Sequence, residues 1–380
     1  MIRLAMVVAA TAAWTACTPS QVRYEPSPSS TSVPGAVDAT LFLVGDAGEV
    51  NPERDDVLTH LSAQIQDAAR TTQRPVLVAF LGDNIYDEGL PTEPSREDLE
   101  KLDGQVLALG DLPDVSGVFL PGNHDWANGA SIADGLAAVE RQRAWIEQVR
   151  PGRDVRFLPD DGCPGPAGRE LGASTYLLFI DTEWLLRRPE QGCGNADGFY
   201  ERLSAELRAH ADKRLLILAH HPLVSGGPHG GNIAPLEMGP LVYWIARKSG
   251  ASAQDLSSGR YGNMVGRIRE AIELSGARPL AFAAGHDHTL QVVGMAEPGD
   301  PAFQLVSGAG SKSERSRWID GMRYATDGFG YMRLDFTPDE ARLTVFARGV
   351  EAGPVRALFS CTLSEDPGAC PEARREGPRP

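Results

Sequence analysis

ATLFLVGDAG (residues 39–48) is a near-continuous apolar run that ends in a Gly-Asp turn. Such a run, bounded by turn residues, reads as a strand buried on both faces. The pattern returns in PVLVAFLGDNIY (75–86), VSGVFLPGNHD (115–125), LLILAHHP (215–222) and PLAFAAGHDH (279–288), and TYLLFID (175–181) ends in Asp181. Amphipathic helices fall between these runs. Pro52–Arg70 carries Val57, Leu58, Leu61, Ile65 and Ala68 at helical spacing, and Ser131–Val149, Phe199–Ala211 and Val265–Ser275 follow suit. Strands alternating with helices define an α/β chain. Ligand sites in such sheets form just past the strands' C-terminal ends, where nearly every motif here falls. The glycines allow the sharp turns that bring side chains together.

Those turns carry one chemical set. Asp46, Asp83, Tyr86, Asn123, His220, His286 and His288 offer carboxylate, phenolate, amide oxygen and imidazole, the donors of a two-metal hydrolytic centre. Taken singly, a Gly-Asp marks a turn and a His is incidental. Five motifs in this order over about 240 residues are far more specific. The combination resembles the calcineurin-like metallophosphoesterases. Tyr86, three residues after Asp83, points within that superfamily to the purple acid phosphatase branch, especially its small tartrate-resistant type.

The resemblance implies an α/β fold: a four-layer α-β-β-α sandwich of two mixed sheets with helices outside. Leu290–Met295, Phe303–Val306, Gly328–Phe336 and Arg342–Ala347 read as successive antiparallel strands. The expected catalytic domain spans 40–350. A C-terminal extension, 351–380, is polar and Pro-rich from Ser364 and expected to be disordered beyond Cys370.

By the same resemblance, metal 1 takes Asp46, Asp83, Tyr86 and His288, and metal 2 takes Asp83, Asn123, His220 and His286. Asp83 bridges; one carboxylate can hold two cations ~3.5–4 Å apart. His286 and His288 would point the same way along an extended segment. A phenol titrates near ~10, so binding as phenolate needs a hard, strong Lewis acid. Fe(III) fits, with a divalent Fe, Zn or Mn beside it. Otherwise Tyr86 is a loop aromatic beneath an ordinary divalent ion.

His124 resembles the His that protonates the leaving group; the alternative is a plain hydrogen-bond donor to phosphate. Asp125 is expected to fix its tautomer. His229, nine residues after His220, matches a substrate-facing His of the small enzymes, or is a loop His in a Gly-rich turn. His221 stands where a Tyr is usual, leaving open a substrate contact or a supporting role. Asp181 reads as a turn cap, and His60 and His210 as solvated helix residues. The stretches Asp87–Asp114 and Pro235–Asn263, the latter with Tyr243 and Trp244, depart from the compact pattern and are candidate pocket walls.

Composition suits one enzyme domain: 380 residues, 42% hydrophobic and 23% charged. A net charge of −15 argues against nucleic acid as the partner and against a basic membrane-binding face. Attraction for an anionic substrate must then come from bound metal. Residues 1–16 read as a signal peptide, with Arg3 ahead of the apolar run Leu4–Ala13, too short to span a bilayer. Cys17 after Trp14-Thr15-Ala16 resembles a bacterial lipobox, with Trp14 in place of the usual Leu; the alternative is cleavage after Ala13. Residues 17–39 form a Pro/Ser-rich tether. The expected place is the bacterial envelope, lipid-anchored. Cys163, Cys193, Cys361 and Cys370 allow three pairings, and proximity favours Cys163–Cys193 with Cys361–Cys370.

The function so implied is hydrolysis of small phosphomonoesters by a metal-bound hydroxide. Phosphodiester or nucleotide hydrolysis on the same scaffold is the alternative. A different class is a non-catalytic surface lipoprotein that keeps its metals for stability.

Overall fold

The computed structural model describes residues 36–160, 163–187, 193, 195–230, 254–256, 258–349 and 353–373, and the backbone of 23–24 and 375–376. The expected signal peptide, nearly all of the tether, and Tyr243 and Trp244 lie outside these. Two seven-stranded mixed sheets carry the fold. The first contains β2 (Ala39–Val44), β3 (Val76–Phe80), β4 (Val115–Phe119) and β5 (Val155–Phe157), paired parallel in that order. Its far side is antiparallel: β13 (Gly330–Phe336) on β2, then β14 (Ala341–Arg348), then β15 (Val355–Leu363) at the edge. In the second, β7 (Thr175–Phe179), β8 (Arg214–Leu218), β9 (Ala281–Ala284) and β11 (Phe303–Ser307) run parallel. Antiparallel β6 (Ala167–Leu171) closes one edge, and β10 (Leu290–Gly294) and β12 (Met322–Thr326) the other. The backbone of β1 (Arg23–Tyr24) pairs with β16 (Arg375–Glu376).

The pleat explains the continuous apolar runs. Leu41 and Leu43 face the second sheet, in one buried cluster with Leu77, Leu177 and Leu216. Their neighbours Phe42 and Val44 face outward to the helix layer. On that side lie α1 (Pro52–Thr72), α2 (Arg96–Ala108) and α3 (Ile132–Val149); α4 (Thr182–Arg187), α5 (Ala196–Ala209) and α6 (Gly259–Ser275) cover the second sheet. Central strands such as β2, β3, β7, β9 and β11 are thus buried on both faces and need no polar alternation.

Three expectations change. The stretch Asp87–Asp114 is no irregular wall, since it contains α2, started by a capping box in which Ser95 and Asp98 exchange bonds. The boundary at 350 is too early, because β15 pairs with β14 along its length. His60 is half-buried, not a free surface residue: its Nδ1 lies 2.8 Å from the Tyr331 hydroxyl and its ring packs on Phe346. Both favoured disulfides form, Cys163–Cys193 and Cys361–Cys370, as an oxidising compartment permits. No helix among the described residues is long and apolar enough to cross a membrane.

Candidate metal centre

Strands β2, β3, β4, β8 and β9 deliver Asp46, Asp83, Asn123, His220 and His286 just past their C-terminal ends. Convergence is tight enough to exclude side chains between them. A Cβ on Gly122 would sit 2.3 Å from Asp83 Oδ1, and one on Gly285 2.4 Å from Asp46 Oδ2. Asp46, Asp83 and His286 adopt left-handed backbone, with φ of 59°, 52° and 71°. Non-glycine residues there cost about 1–3 kcal/mol each and persist only where the surroundings impose them. The segment at His286 is therefore a bend, not the extended run expected.

The donors fall into two groups. In one, the Tyr86 hydroxyl lies 3.1 Å from Asp46 Oδ1 and 3.2 Å from His288 Nε2. In the other, Asn123 Oδ1 lies 3.1 Å from both His220 Nε2 and His286 Nδ1. Asp83 joins them: its Oδ1 is 3.4 Å from His220 Nε2, and with Asp46 and His220 it presents donor atoms all within 4.8 Å of one another. His220, His221 and His286 form a second such trio.

The opposite nitrogen of each candidate ligand His has its own partner. His220 Nδ1 lies 2.8 Å from the Leu81 carbonyl, and His286 Nε2 lies 2.8 Å from that of Gln254. Glu314 Oε2 stands 3.2 Å from His288 Nδ1, a charge contact without hydrogen-bond alignment. An acceptor on one ring nitrogen leaves the other as a lone pair facing inward, the arrangement metal-binding histidines need.

Charge tells the same story. Burial, reinforced by the charge of Asp83, pushes the Asp46 carboxyl well above its usual range. Burial also pushes the Tyr86 phenol well up, with Asp46 and Asp83 adding to it. Burial pulls Asp83 the same way; against it stand the neighbouring histidines, His220 first, when they carry charge, and the His124 main-chain N–H, and the net direction is down. His220 and His286 are pushed down by burial, which keeps them neutral. Buried acids around neutral imidazoles lack positive charge, and a pair of cations would supply it.

The residues expected to act on substrate are sorted differently. His124 is half-buried, its ring 4.5 Å from that of Tyr86. Its Nδ1 lies 2.6 Å from the Asp87 carbonyl, so that carbonyl, and not Asp125, sets its tautomer. Asp125 is fully buried and accepts from Gly122 N at 2.7 Å, Asn84 N at 3.0 Å and Asn84 Nδ2 at 3.1 Å. It braces the two loops that present Asp83 and Asn123. His221 is buried with both nitrogens engaged, Nδ1 with Thr182 Oγ1 at 2.8 Å and Nε2 with Gln254 Oε1 at 2.6 Å. Of its two open roles, this geometry fits support. His229 lies on the turn Pro228–Gly230, its ring 4.3 Å from that of His286.

Sequence reading missed the segment 311–314 and Gln254. Lys312 Nζ sits 3.4 Å over the Tyr86 ring. Gln254 Nε2 donates to Glu183 Oε2 at 3.0 Å, and Glu183 pairs with Arg187. No motif marks any of these. Asp181 does cap its turn, accepting from Trp184 N at 2.9 Å.

No protein-family profile matches the sequence, and a search of curated proteins finds no match. Solved structures do match. One, described as "GAP50 the anchor in the inner membrane complex of Plasmodium", superposes with a TM-score of 0.53 at 11% identity, covering 86% of this chain and 89% of that one. Another, "Structure of PhoD", gives 0.53 at 13% identity, covering 90% of this chain and 72% of the other. At such identities the likeness is one of fold: the α/β sandwich of two mixed sheets is shared.

Proposed function

We propose that this protein is a binuclear-metal phosphatase of the purple acid type, acting on small phosphomonoesters. One observation carries the reading. Seven donors from separate strand ends and loops converge in two groups joined by Asp83; the distal nitrogens of His220 and His286 each meet a carbonyl, and Glu314 stands 3.2 Å from that of His288.

Asp46, Asp83, Tyr86 and His288 would hold Fe(III), and Asp83, Asn123, His220 and His286 a divalent Fe, Zn or Mn. Bound there, the metals supply the Lewis acidity that draws in a phosphate dianion and activates its hydrolysis. The chain's own residues do the rest. Gly122, with no side chain, lets its loop lie against Asp83. His124, with Nδ1 committed to the Asp87 carbonyl, has Nε2 free of protein partners among the described residues and protonates the departing alkoxide. His229 contacts the phosphate beside His286.

The test is metal analysis of purified protein followed by a phosphate-release screen on monoesters, diesters and nucleotides. Two metals with monoester turnover support the proposal. Faster diester turnover would move the substrate class. A two-metal protein inert toward every ester would make it a metal-stabilised surface protein.

A further inference from the structure

Between β11 and β12 the chain crosses the metal-1 side of the centre in the connection 308–321, which contains Ser311, Lys312 and Glu314. The three residues touch three of the four metal-1 donors. Ser311 donates to the Asp46 carbonyl through its main-chain N–H at 2.9 Å and its hydroxyl at 2.5 Å. Lys312 lays its ammonium over the Tyr86 ring and pairs with Glu49 at 3.3 Å. Glu314 sets its carboxylate against His288 Nδ1, and its main-chain N–H donates to the His288 carbonyl at 2.8 Å.

Neighbouring groups hold the loop. Asn51 Nδ2 donates to the Ser311 carbonyl at 2.8 Å, and Gly310 N to the Gly45 carbonyl at 3.0 Å. Glu314 Oε2 is buried and makes no hydrogen bond among the described residues; its contact with His288 Nδ1 at 3.2 Å is that of an ion pair. Ligand histidines of the other group lean on different elements, Leu81 and Gln254. The two halves of the centre thus have separate supports.

We propose that Ser311–Glu314 is the retaining segment for metal 1 and has no part in holding metal 2. Glu314 and Lys312 are positioning residues: Glu314 turns the His288 ring so that Nε2 faces inward, and Lys312 fixes the plane of the Tyr86 ring. The inference rests on the two-metal reading above. Partners of ligand histidines commonly change metal affinity by about 10–100-fold, and a cation on an aromatic face contributes less.

The experiment challenges holo-protein with rising chelator and counts the ions retained per chain. Wild type should lose its metals in two steps, and Tyr86→Phe and His220→Ala identify which step belongs to which metal. Glu314→Ala should shift the Tyr86 step to about 10–100-fold lower chelator and leave the His220 step in place. Glu314→Gln, which keeps an acceptor for Nδ1, should restore most of the shift. Lys312→Met should move the same step by less. Glu314→Ala shifting neither step, or both equally, would overturn the assignment, as would Glu314→Gln behaving like Ala. Should the Ala variant not fold, Lys312→Met decides by the same criterion. A wild type with fewer than two ions before any chelator would sink the proposed function instead, a result read separately.

Discussion

The main-chain N–H of His124 donates to Asp83 Oδ1 at 3.0 Å, and that same oxygen faces His220 Nε2 at 3.4 Å. The residue proposed to bridge the metals therefore also fixes where the proposed acid stands. Asp83→Asn should abolish metal retention and activity together. His124→Ala should keep both metals. Its rate loss should be modest on nitrophenyl phosphate, whose leaving phenol needs little protonation, and approach ~10²–10⁴-fold on glycerol phosphate. The kcat/KM values of both esters in both proteins decide it. Equal losses would reduce His124 to a phosphate contact.

Tyr86 bears on the identity of metal 1. A phenolate on Fe(III) gives a pink to purple protein, and Tyr86→Phe should bleach it. The hydroxyl lies between Asp46 Oδ1 and His288 Nε2, so its loss should cost about 1–3 kcal/mol and leave the variant folded. A colourless, iron-free, fully active wild type would rule Fe(III) out.

Asp125 should behave as a brace. Asp125→Ala orphans three N–H donors of Gly122 and Asn84, each costing about 1–3 kcal/mol when buried. We expect at least ~3 kcal/mol of destabilisation in a denaturant melt. A stable variant with only the His124 ester dependence altered would restore the tautomer role.

Burial raises the Asp181 carboxyl to about 7. Between its unfolded value near ~3.9 and about 7, the folded protein keeps a proton that the unfolded chain has lost. The contribution is full below the lower value and disappears as pH rises to the upper one, at up to about 1.4 kcal/mol per unit. Asp181→Asn should flatten that part of the stability profile. Denaturant midpoints from pH 4 to 8 check it, and an unchanged slope would clear Asp181 of the effect.

If Cys17 is lipidated, the mature protein partitions into detergent, and Cys17→Ser releases it or blocks its processing. A soluble protein with its mature N-terminus at Trp14 would refute the anchor.

The centre was legible because its donors follow apolar strands directly: one run of sequence shows both the strand and its ligand. Segment 311–314 gave no such sign, since Lys312 and Glu314 meet Tyr86 and His288 through tertiary packing across distant segments. Helix α2 was legible in principle, because Ser95 and Asp98 make the capping-box spacing ahead of Leu99, Leu102 and Val106. Strand β15 borders the polar, Pro-rich tail, although Phe359, Cys361 and Leu363 alternate inward. Asp125 was misassigned because adjacency to His124 suggested contact, whereas their side chains serve different loops.

The Cys361–Cys370 bond has a consequence for handling the protein. Strand β15 is the outermost strand of its sheet, and β12 that of the other. The covalent link sends the chain from β15 toward the second sheet, where Ala373 N donates to the Arg323 carbonyl of β12 at 2.8 Å. A long strand edge is a template on which another chain can pair. With the clasp reduced, as in cytosolic expression, this corner is free to open. The first symptom should then be self-association through β15, in material whose candidate metal site, at the ends of other strands, is still intact.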